Sequence, residues 1–135
     1  MFPVRNIMTT NVISVPPEMP IYEALDLLIK NKISGMPVLN SEQHVVGILT
    51  EKDVLSILLD QKLGIKNTVQ DYMSKNVVTF KEDDSAIEIC KFFIQNNIRR
   101  VPIVRDGKLV GIVSRRDLVA LIFEAKSKMS DLRYA

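Results

Sequence analysis

A seven-residue pattern that could bind a nucleoside phosphate occurs twice in the chain. It consists of a glycine, two apolar residues, a hydroxyl, two variable positions and a carboxylate. A hydroxyl can donate to a phosphate, and a carboxylate can accept from ribose hydroxyls. A helix beginning at the hydroxyl would add unpaired N–H groups, and the glycine would let a ligand ring approach the strand. The copies occupy residues 47–53 and 111–117, with hydroxyls at Thr50 and Ser114 and carboxylates at Asp53 and Asp117.

The same spacing has a purely structural interpretation. Thr-x-x-Asp and Ser-x-x-Asp resemble capping boxes, in which a hydroxyl and an acidic side chain satisfy the free N–H groups of a helix start. Either motif by itself is explained by capping. Both interpretations therefore stay open at this point.

The two motifs belong to a repeat that covers most of the chain. Residues 4–59 align with residues 69–123 at an offset of 65, which falls to 64 beyond one turn. Two copies are too few for a solenoid, and a half of roughly 60 residues is marginally stable alone. We therefore predict two repeats, at residues 1–66 and 67–135, that fold as one body. The second repeat ends in a polar helical extension after Glu124.

Hydrophobic periodicity predicts an α/β (α+β) fold with the order β-α-β-β-α in each repeat. The predicted strands are residues 12–15, 36–39 and 45–49, and then residues 77–80, 101–104 and 109–113. Apolar residues at helical spacing predict a buried face on each intervening helix. These faces are Ile21, Ala24, Leu25, Leu28 and Ile29 in the first repeat, and Ala86, Ile89, Cys90, Phe93 and Ile94 in the second.

Local signals define the ends of several elements. Ser85 and Glu88 predict a capping box, and Asp106-Gly107 predicts a two-residue hairpin turn. The last helix of each repeat is expected to bury three apolar residues, which are Val54, Ile57 and Leu58, and Leu118, Leu121 and Ile122.

Composition argues against several classes of protein. The chain has 135 residues, 47% of them apolar, and one cysteine, so it forms no internal disulfide. No apolar run approaches the roughly 18 residues of a membrane span. Cys90 is expected to pack and His44 to be exposed in a turn, and no metal-ligand spacing is present. We predict a cytoplasmic, non-catalytic protein that requires no cofactor and does not associate with a membrane.

One segment is strongly basic. Between residues 99 and 116 there are six cations against a single acidic residue, Asp106. Such a surface attracts anions, and nucleic acid is one candidate. A solvated face explains the same charges equally simply.

The ordered set of motifs resembles the tandem CBS domain, or Bateman module, over nearly the whole chain. The resemblance is carried by the paired glycine–hydroxyl–carboxylate motifs, the segments led by Met8 and Met73, and the strand starts at residues 33–37 and 98–102. It implies two pseudo-symmetric repeats packed through their sheets. It also implies two clefts that bind adenine nucleotides or related adenosyl ligands, such as AMP, ADP, ATP or S-adenosylmethionine.

The resemblance further implies that each cleft is crossed, with the hydroxyl and carboxylate from one repeat and the base-binding strand from the other. Arginines suit phosphate recognition. The cleft that contains them is therefore expected to be the tighter phosphate site. One cleft would contain Thr50, Asp53, Val78, Arg99 and Arg100, and the other Ser114, Asp117, Ile13, Ser34 and Gly35.

Two functional classes follow from the resemblance. In the first, the chain is a sensor whose adenosyl effector changes its interaction with a separate effector protein. In the second, it is a ligand-free dimerisation scaffold whose motifs serve only as caps. The family commonly forms flat homodimers through the helices that follow Asp53 and Asp117. We favour the sensor because both motifs retain the hydroxyl and the carboxylate, and capping by itself does not need all four residues.

Overall fold

The computed structural model describes the backbone of residues 1–134 and the side chains of residues 1–129; Ala135, the last residue of the predicted second repeat, lies outside the described residues. The fold is the mixed α+β fold that the sequence predicts, with two short sheets and flanking helices. The chain divides into two compact units. The Val4 unit contains residues 1–11, 79–105 and the chain from residue 110 onward. The Val69 unit contains residues 12–78 and 106–109.

The Val69 unit is built on a two-stranded antiparallel sheet. Its elements are α1 (Ile21–Asn31), β1 (Gly35–Leu39), β2 (Val45–Thr50) and α2 (Glu51–Val54), followed by 3₁₀ turns at Leu55–Leu59 and Val69–Asp71. Gly35 lies opposite Thr50 in the register of β1 and β2. The first strand residue of the sheet is therefore the neighbour of the motif hydroxyl.

The Val4 unit is built on a three-stranded sheet in the order β3-β4-β5, in which β3 is parallel to β4. Asp106 and Gly107 both have positive φ, of 51° and 79°, as the predicted two-residue hairpin turn requires. The elements are a 3₁₀ turn (Val4–Asn6), β3 (Phe80–Lys81), α3 (Ala86–Gln95), β4 (Arg100–Arg105), β5 (Lys108–Ser114) and α4 (Arg115–Tyr134); the hairpin turn and the first two residues of β5 are counted with the Val69 unit.

The leading segment of each repeat is buried in a unit formed mainly by the other repeat. Val69 is fully buried beside Ile21, and its N–H donates to the carbonyl of Met19 at 2.9 Å. Val4 is fully buried in the other unit, and its N–H donates to the carbonyl of Asp84 at 2.9 Å. The compact units thus exchange these segments. The repeat boundary at residues 66 and 67 describes the sequence pattern and stays a prediction.

The predicted helices are present, but their buried faces are narrower than the sequence indicates. The side chains of Ile29 and Ile94 are 75% and 80% exposed, and Cys90 is only half-buried. The three positions that are buried on each helix are Ile21, Ala24 and Leu28 on α1, and Ala86, Ile89 and Phe93 on α3. The prediction of five buried positions was wrong because each core covers only one side of its helix.

Three further local predictions need correction. Leu58 and Ile122 are 80% and 65% exposed rather than buried. Ser85 caps α3 by accepting from the N–H of Ile87 at 3.2 Å, so the box with Glu88 does not form. The first predicted strand of each repeat is mostly unpaired. In the first repeat only Val15 makes a bridge, and in the second β3 begins at the last predicted residue.

Candidate functional site

Each hydroxyl–carboxylate motif forms a capping box at a strand-to-helix junction. Asp53 Oδ2 accepts from the N–H of Thr50 at 2.9 Å and from Thr50 Oγ1 at 3.0 Å, while the N–H of Asp53 donates back to Thr50 Oγ1 at 3.3 Å. Ser114 and Asp117 repeat this arrangement, with distances of 2.8, 3.1 and 3.3 Å. The capping interpretation of both motifs is therefore confirmed.

Capping leaves one oxygen of each carboxylate for other partners. An ionised carboxylate has about four acceptor sites, two on each oxygen, and the cap uses only Oδ2. Oδ1 of Asp53 accepts from Ser74 Oγ at 3.2 Å. For Asp117, the described contacts include none to Oδ1. Capping and ligand binding are therefore compatible in one side chain.

The helices that begin at the two motifs differ in length. α2 has four residues and passes into a 3₁₀ turn, whereas α4 has twenty. Aligned peptide dipoles add along a helix, so of these two helix starts that of α4 has the greater positive potential. The two motifs therefore begin helices of unequal length, and binding of an anion at either start stays a prediction.

The motif glycines make room for methionine side chains. A Cβ added at Gly47 would lie 2.6 Å from Met73 Sδ, and one added at Gly111 would lie 2.7 Å from Met8 Sδ. The space beside each motif glycine is thus occupied by a methionine side chain of the same unit. Glycine is required here because the leading segment crosses the strand closely.

The strand starts lie beside the motif of their own unit. The carbonyl of Ser34 accepts from the N–H of Glu51 at 2.9 Å, and that of Arg99 accepts from the N–H of Arg115 at 3.0 Å. Gly35 and Arg100 are the first residues of β1 and β4. These backbone contacts order the strand starts next to the caps.

The remaining predicted site residues differ in exposure. Ile13 is half-buried and packs against the core of the Val69 unit, whereas the side chain of Val78 in the same unit is 44% exposed. The Val69 unit thus holds Thr50, Asp53, Val78, Ile13, Ser34 and Gly35, and the Val4 unit holds Arg99, Arg100, Ser114 and Asp117.

Part of the predicted basic surface is neutralised or engaged. Arg105 binds Glu82 through two hydrogen bonds of 2.7 Å. The bond from Arg105 holds the pKa of the Glu82 carboxyl below its usual range, with Arg5 adding a smaller attraction. Arg115 Nε donates to the carbonyl of Ile98 at 3.1 Å. Glu82 thus compensates the charge of Arg105, and a backbone carbonyl orients the side chain of Arg115.

Residues with catalytic or metal-binding chemistry do not cluster. His44 is half-buried, and a Cβ added at Gly107 would lie 3.4 Å from its ring. Within the described part of the chain, no group of three or more His, Cys, Asp or Glu side chains could hold a metal ion. Across the same residues no helix has the length and apolar character needed to cross a bilayer.

Ser74 is the functional candidate that the sequence reasoning missed. Its hydroxyl contacts Asp53, although the two residues are 21 positions apart. A signal was available, because the offset of 65 aligns Ser74 with Thr9 and thus places a hydroxyl after the leading methionine of both repeats. Only the tertiary structure shows which carboxylate it reaches.

Comparison with known proteins identifies the class to which these paired junctions belong. A family model described as "CBS domain" matches residues 4–60 and 69–124. The chain belongs to the CBS domain family and carries two copies of the domain. Proteins of this paired kind are generally regulatory rather than catalytic.

Relatives and solved structures give a more specific picture. The chain is 32% identical over 120 residues to the uncharacterized protein MJ1225 of Methanocaldococcus jannaschii, covering 89% of this chain but only 42% of that protein. A structure of CBSX2 in complex with AMP has a TM-score of 0.85 and 28% identity, and the alignment covers 93% of this chain and 99% of that one.

The CBS domain pair of MJ0100 in complex with 5′-methylthioadenosine and S-adenosyl-L-methionine has a TM-score of 0.81 and 30% identity. The alignment covers 93% of this chain and 98% of that one. Homologues of this chain thus bind AMP, S-adenosylmethionine and methylthioadenosine.

Proposed function

We propose that the chain is a non-catalytic regulatory module that binds an adenine nucleotide or another adenosyl ligand and signals to a separate partner. The observation that carries this proposal is that the caps use only Oδ2 of Asp53 and Asp117, so that Oδ1 of each carboxylate keeps acceptor capacity for a ligand. Relatives of the same fold that hold AMP or S-adenosylmethionine support the ligand class.

In this proposal each carboxylate accepts from ribose hydroxyls, and the neighbouring motif hydroxyl, whose single proton is donated to that carboxylate in the cap, holds it in place. Arg99 and Arg100 are the proposed phosphate donors, since a guanidinium presents paired N–H groups to an oxyanion. Their pairing with Asp53, and that of Asp117 with Ile13, Ser34 and Gly35, stays a prediction from the family resemblance. So does the greater phosphate affinity of the site containing Arg100.

We also propose that the module acts as a homodimer in the cytoplasm. Equivalent apolar side chains after the two motifs are exposed by 63% to 87%. Exposed apolar residues grouped in this way are typical of an interaction surface. They are Leu55, Leu58 and Leu59 after Asp53, and Val119, Ile122 and Phe123 after Asp117.

Ligand binding is tested first by thermal shift with AMP, ADP, ATP, S-adenosylmethionine and GTP. A ligand present at about 100 times its dissociation constant should stabilise the protein by about 2.7 kcal/mol. For a chain of this size that corresponds to a melting shift on the order of ten degrees. Absence of a shift with every compound would support the scaffold instead.

Calorimetry then assigns the sites. Asp53→Ala and Asp117→Ala should each remove one binding event, whereas Asp83→Ala, which changes an exposed carboxylate outside both motifs, should remove none. If Asp117→Ala alone abolished AMP binding, the assignment of the tighter phosphate site to Asp53 would be wrong. Binding of a DNA or RNA fragment that weakens steeply with salt would favour the nucleic-acid alternative.

A further inference from the structure

The two motif carboxylates lie beside equivalent but chemically different hydroxyl residues. Ser74 pairs with Ile48 through two backbone hydrogen bonds of 2.9 and 3.0 Å. In the other unit Thr9 pairs with Ile112 through two bonds of 2.9 Å. The backbone therefore presents Ser74 and Thr9 to β2 and β5 in the same way.

Their side chains nevertheless behave differently. Ser74 Oγ donates to Asp53 Oδ1 at 3.2 Å, whereas no hydrogen bond joins the Thr9 hydroxyl to Asp117 among the contacts of the described residues. A β-branched threonine is restricted at χ1, while serine rotates more freely. The two equivalent positions thus differ by one methyl group and by this contact.

This contact changes how many hydrogen bonds each carboxylate can still accept. Of about four acceptor sites, the cap uses two on Oδ2. Ser74 takes a third on Asp53, so one remains there, whereas two remain on Asp117. A ribose with free 2′ and 3′ hydroxyls offers two donors.

We propose that Ser74 sets the ribose selectivity of the Asp53 site. On the proposed function, Asp117 accepts both hydroxyls of an intact vicinal diol, and Asp53 accepts only one. Ser74 Oγ can still accept from the second hydroxyl, but a bond to a neutral oxygen is roughly half as strong as one to a carboxylate. The Asp53 site therefore tolerates a ribose that lacks one hydroxyl, and the Asp117 site discriminates against it.

The experiment compares the dissociation constants of AMP and 2′-deoxy-AMP by calorimetry. The measured quantity is the dissociation constant of 2′-deoxy-AMP divided by that of AMP. The Asp117→Ala variant gives this ratio for the Asp53 site, and the Asp53→Ala variant gives it for the Asp117 site. We expect the ratio to be about tenfold smaller at the Asp53 site, the size expected for one hydrogen bond to a charged group. Adding Ser74→Ala to the Asp117→Ala variant should raise the ratio at the Asp53 site to the value measured at the Asp117 site.

The equivalent position supplies matched controls. Thr9→Ala in Asp53→Ala should leave the ratio unchanged because Thr9 makes no bond to Asp117. Thr9→Ser in the same background should lower the ratio by installing the missing hydroxyl contact. Because Ser74 is exposed, Ser74→Ala is also measured alone, so that the result does not depend on the folding of the aspartate variants.

The inference and the proposed function fail in different ways. If AMP binds but Ser74→Ala leaves the ratio as it is in the wild type, the role of Ser74 is refuted and the proposed function stands. If the wild type binds no adenosyl ligand at all, the proposed function is refuted and the inference is refuted with it.

Discussion

Asp53 and Asp117 each combine a structural task with a proposed binding task. The two tasks use different oxygens, since Oδ2 caps the helix in both, whereas Oδ1 accepts from Ser74 in Asp53 and has no described contact in Asp117. Removing the carboxylate should therefore cost both stability and binding. The ligand affinity of each alanine variant is therefore compared together with its melting temperature. The cap alone contributes about 1 kcal/mol to stability.

Gly47 shows at the same scale how a motif residue can serve packing rather than a ligand. We expect Gly47→Ala to lower the free energy of unfolding by about 1 to 3 kcal/mol, because the new methyl would overlap Met73. Urea denaturation measures this cost. The double variant Gly47→Ala with Met73→Ala should lose less than the sum of the two single losses, since the clash is gone.

Gly111 and Met8 provide the matched pair in the other unit, where a Cβ would lie 2.7 Å from the sulfur. The same non-additivity is expected there. Strictly additive losses in both pairs would show that the glycines are required for another reason.

The leading segments are the elements whose placement most affects the two cores. Each is a 3₁₀ turn of three residues, too short to be stable by itself, and each buries one valine completely. Burial therefore orders these segments. The backbone hydrogen bonds from Val4 to Asp84 and from Val69 to Met19 then fix where each segment lies in its unit.

We expect Val4→Ala to lower the free energy of unfolding by about 2 kcal/mol, because it removes two buried methyl groups and leaves a cavity. Val69→Ala should have a similar effect in the other unit. Ile94→Ala, at a side chain 80% exposed, should change it by no more than about 0.5 kcal/mol. Chemical denaturation, monitored by circular dichroism, measures the free energy of unfolding of the three variants. Equal losses in all three would contradict the role of the buried valines.

At the scale of the whole molecule, the repeat gives the chain two equivalent apolar surfaces after its motifs. Leu59 and Phe123 are the most exposed member of each, at 87% and 73%. We expect Leu59→Glu with Phe123→Glu to convert the proposed homodimer into a monomer, because burying carboxylates at an apolar interface is costly. Light scattering coupled to gel filtration reads the mass against the 15.3 kDa of one chain.

Ile94→Glu is the control for this variant, since Ile94 is as exposed but lies on α3, outside both surfaces. It should leave the dimer intact. A wild-type protein that is monomeric at all concentrations would refute the proposed homodimer, and a double variant that remains dimeric would refute the assigned surface.

The sequence by itself determined the features that depend on near neighbours. The caps at Thr50 and Ser114 join residues three apart, and the turn at Asp106-Gly107 needs only two residues that accept positive φ. The helices α1 and α3 follow from a period of 3.6 residues. The repeat then predicted two copies of one domain, and the family match confirms it.

Only the tertiary structure decided which of these residues meet across the chain. It placed Met73 over Gly47 and Ser74 against Asp53, and it left Ile29 and Ile94 exposed although their spacing is that of a buried face. The physical reason is that periodicity specifies the direction of a side chain relative to its own element. What lies in that direction depends on residues distant in sequence, as the contact between Ser74 and Asp53 shows.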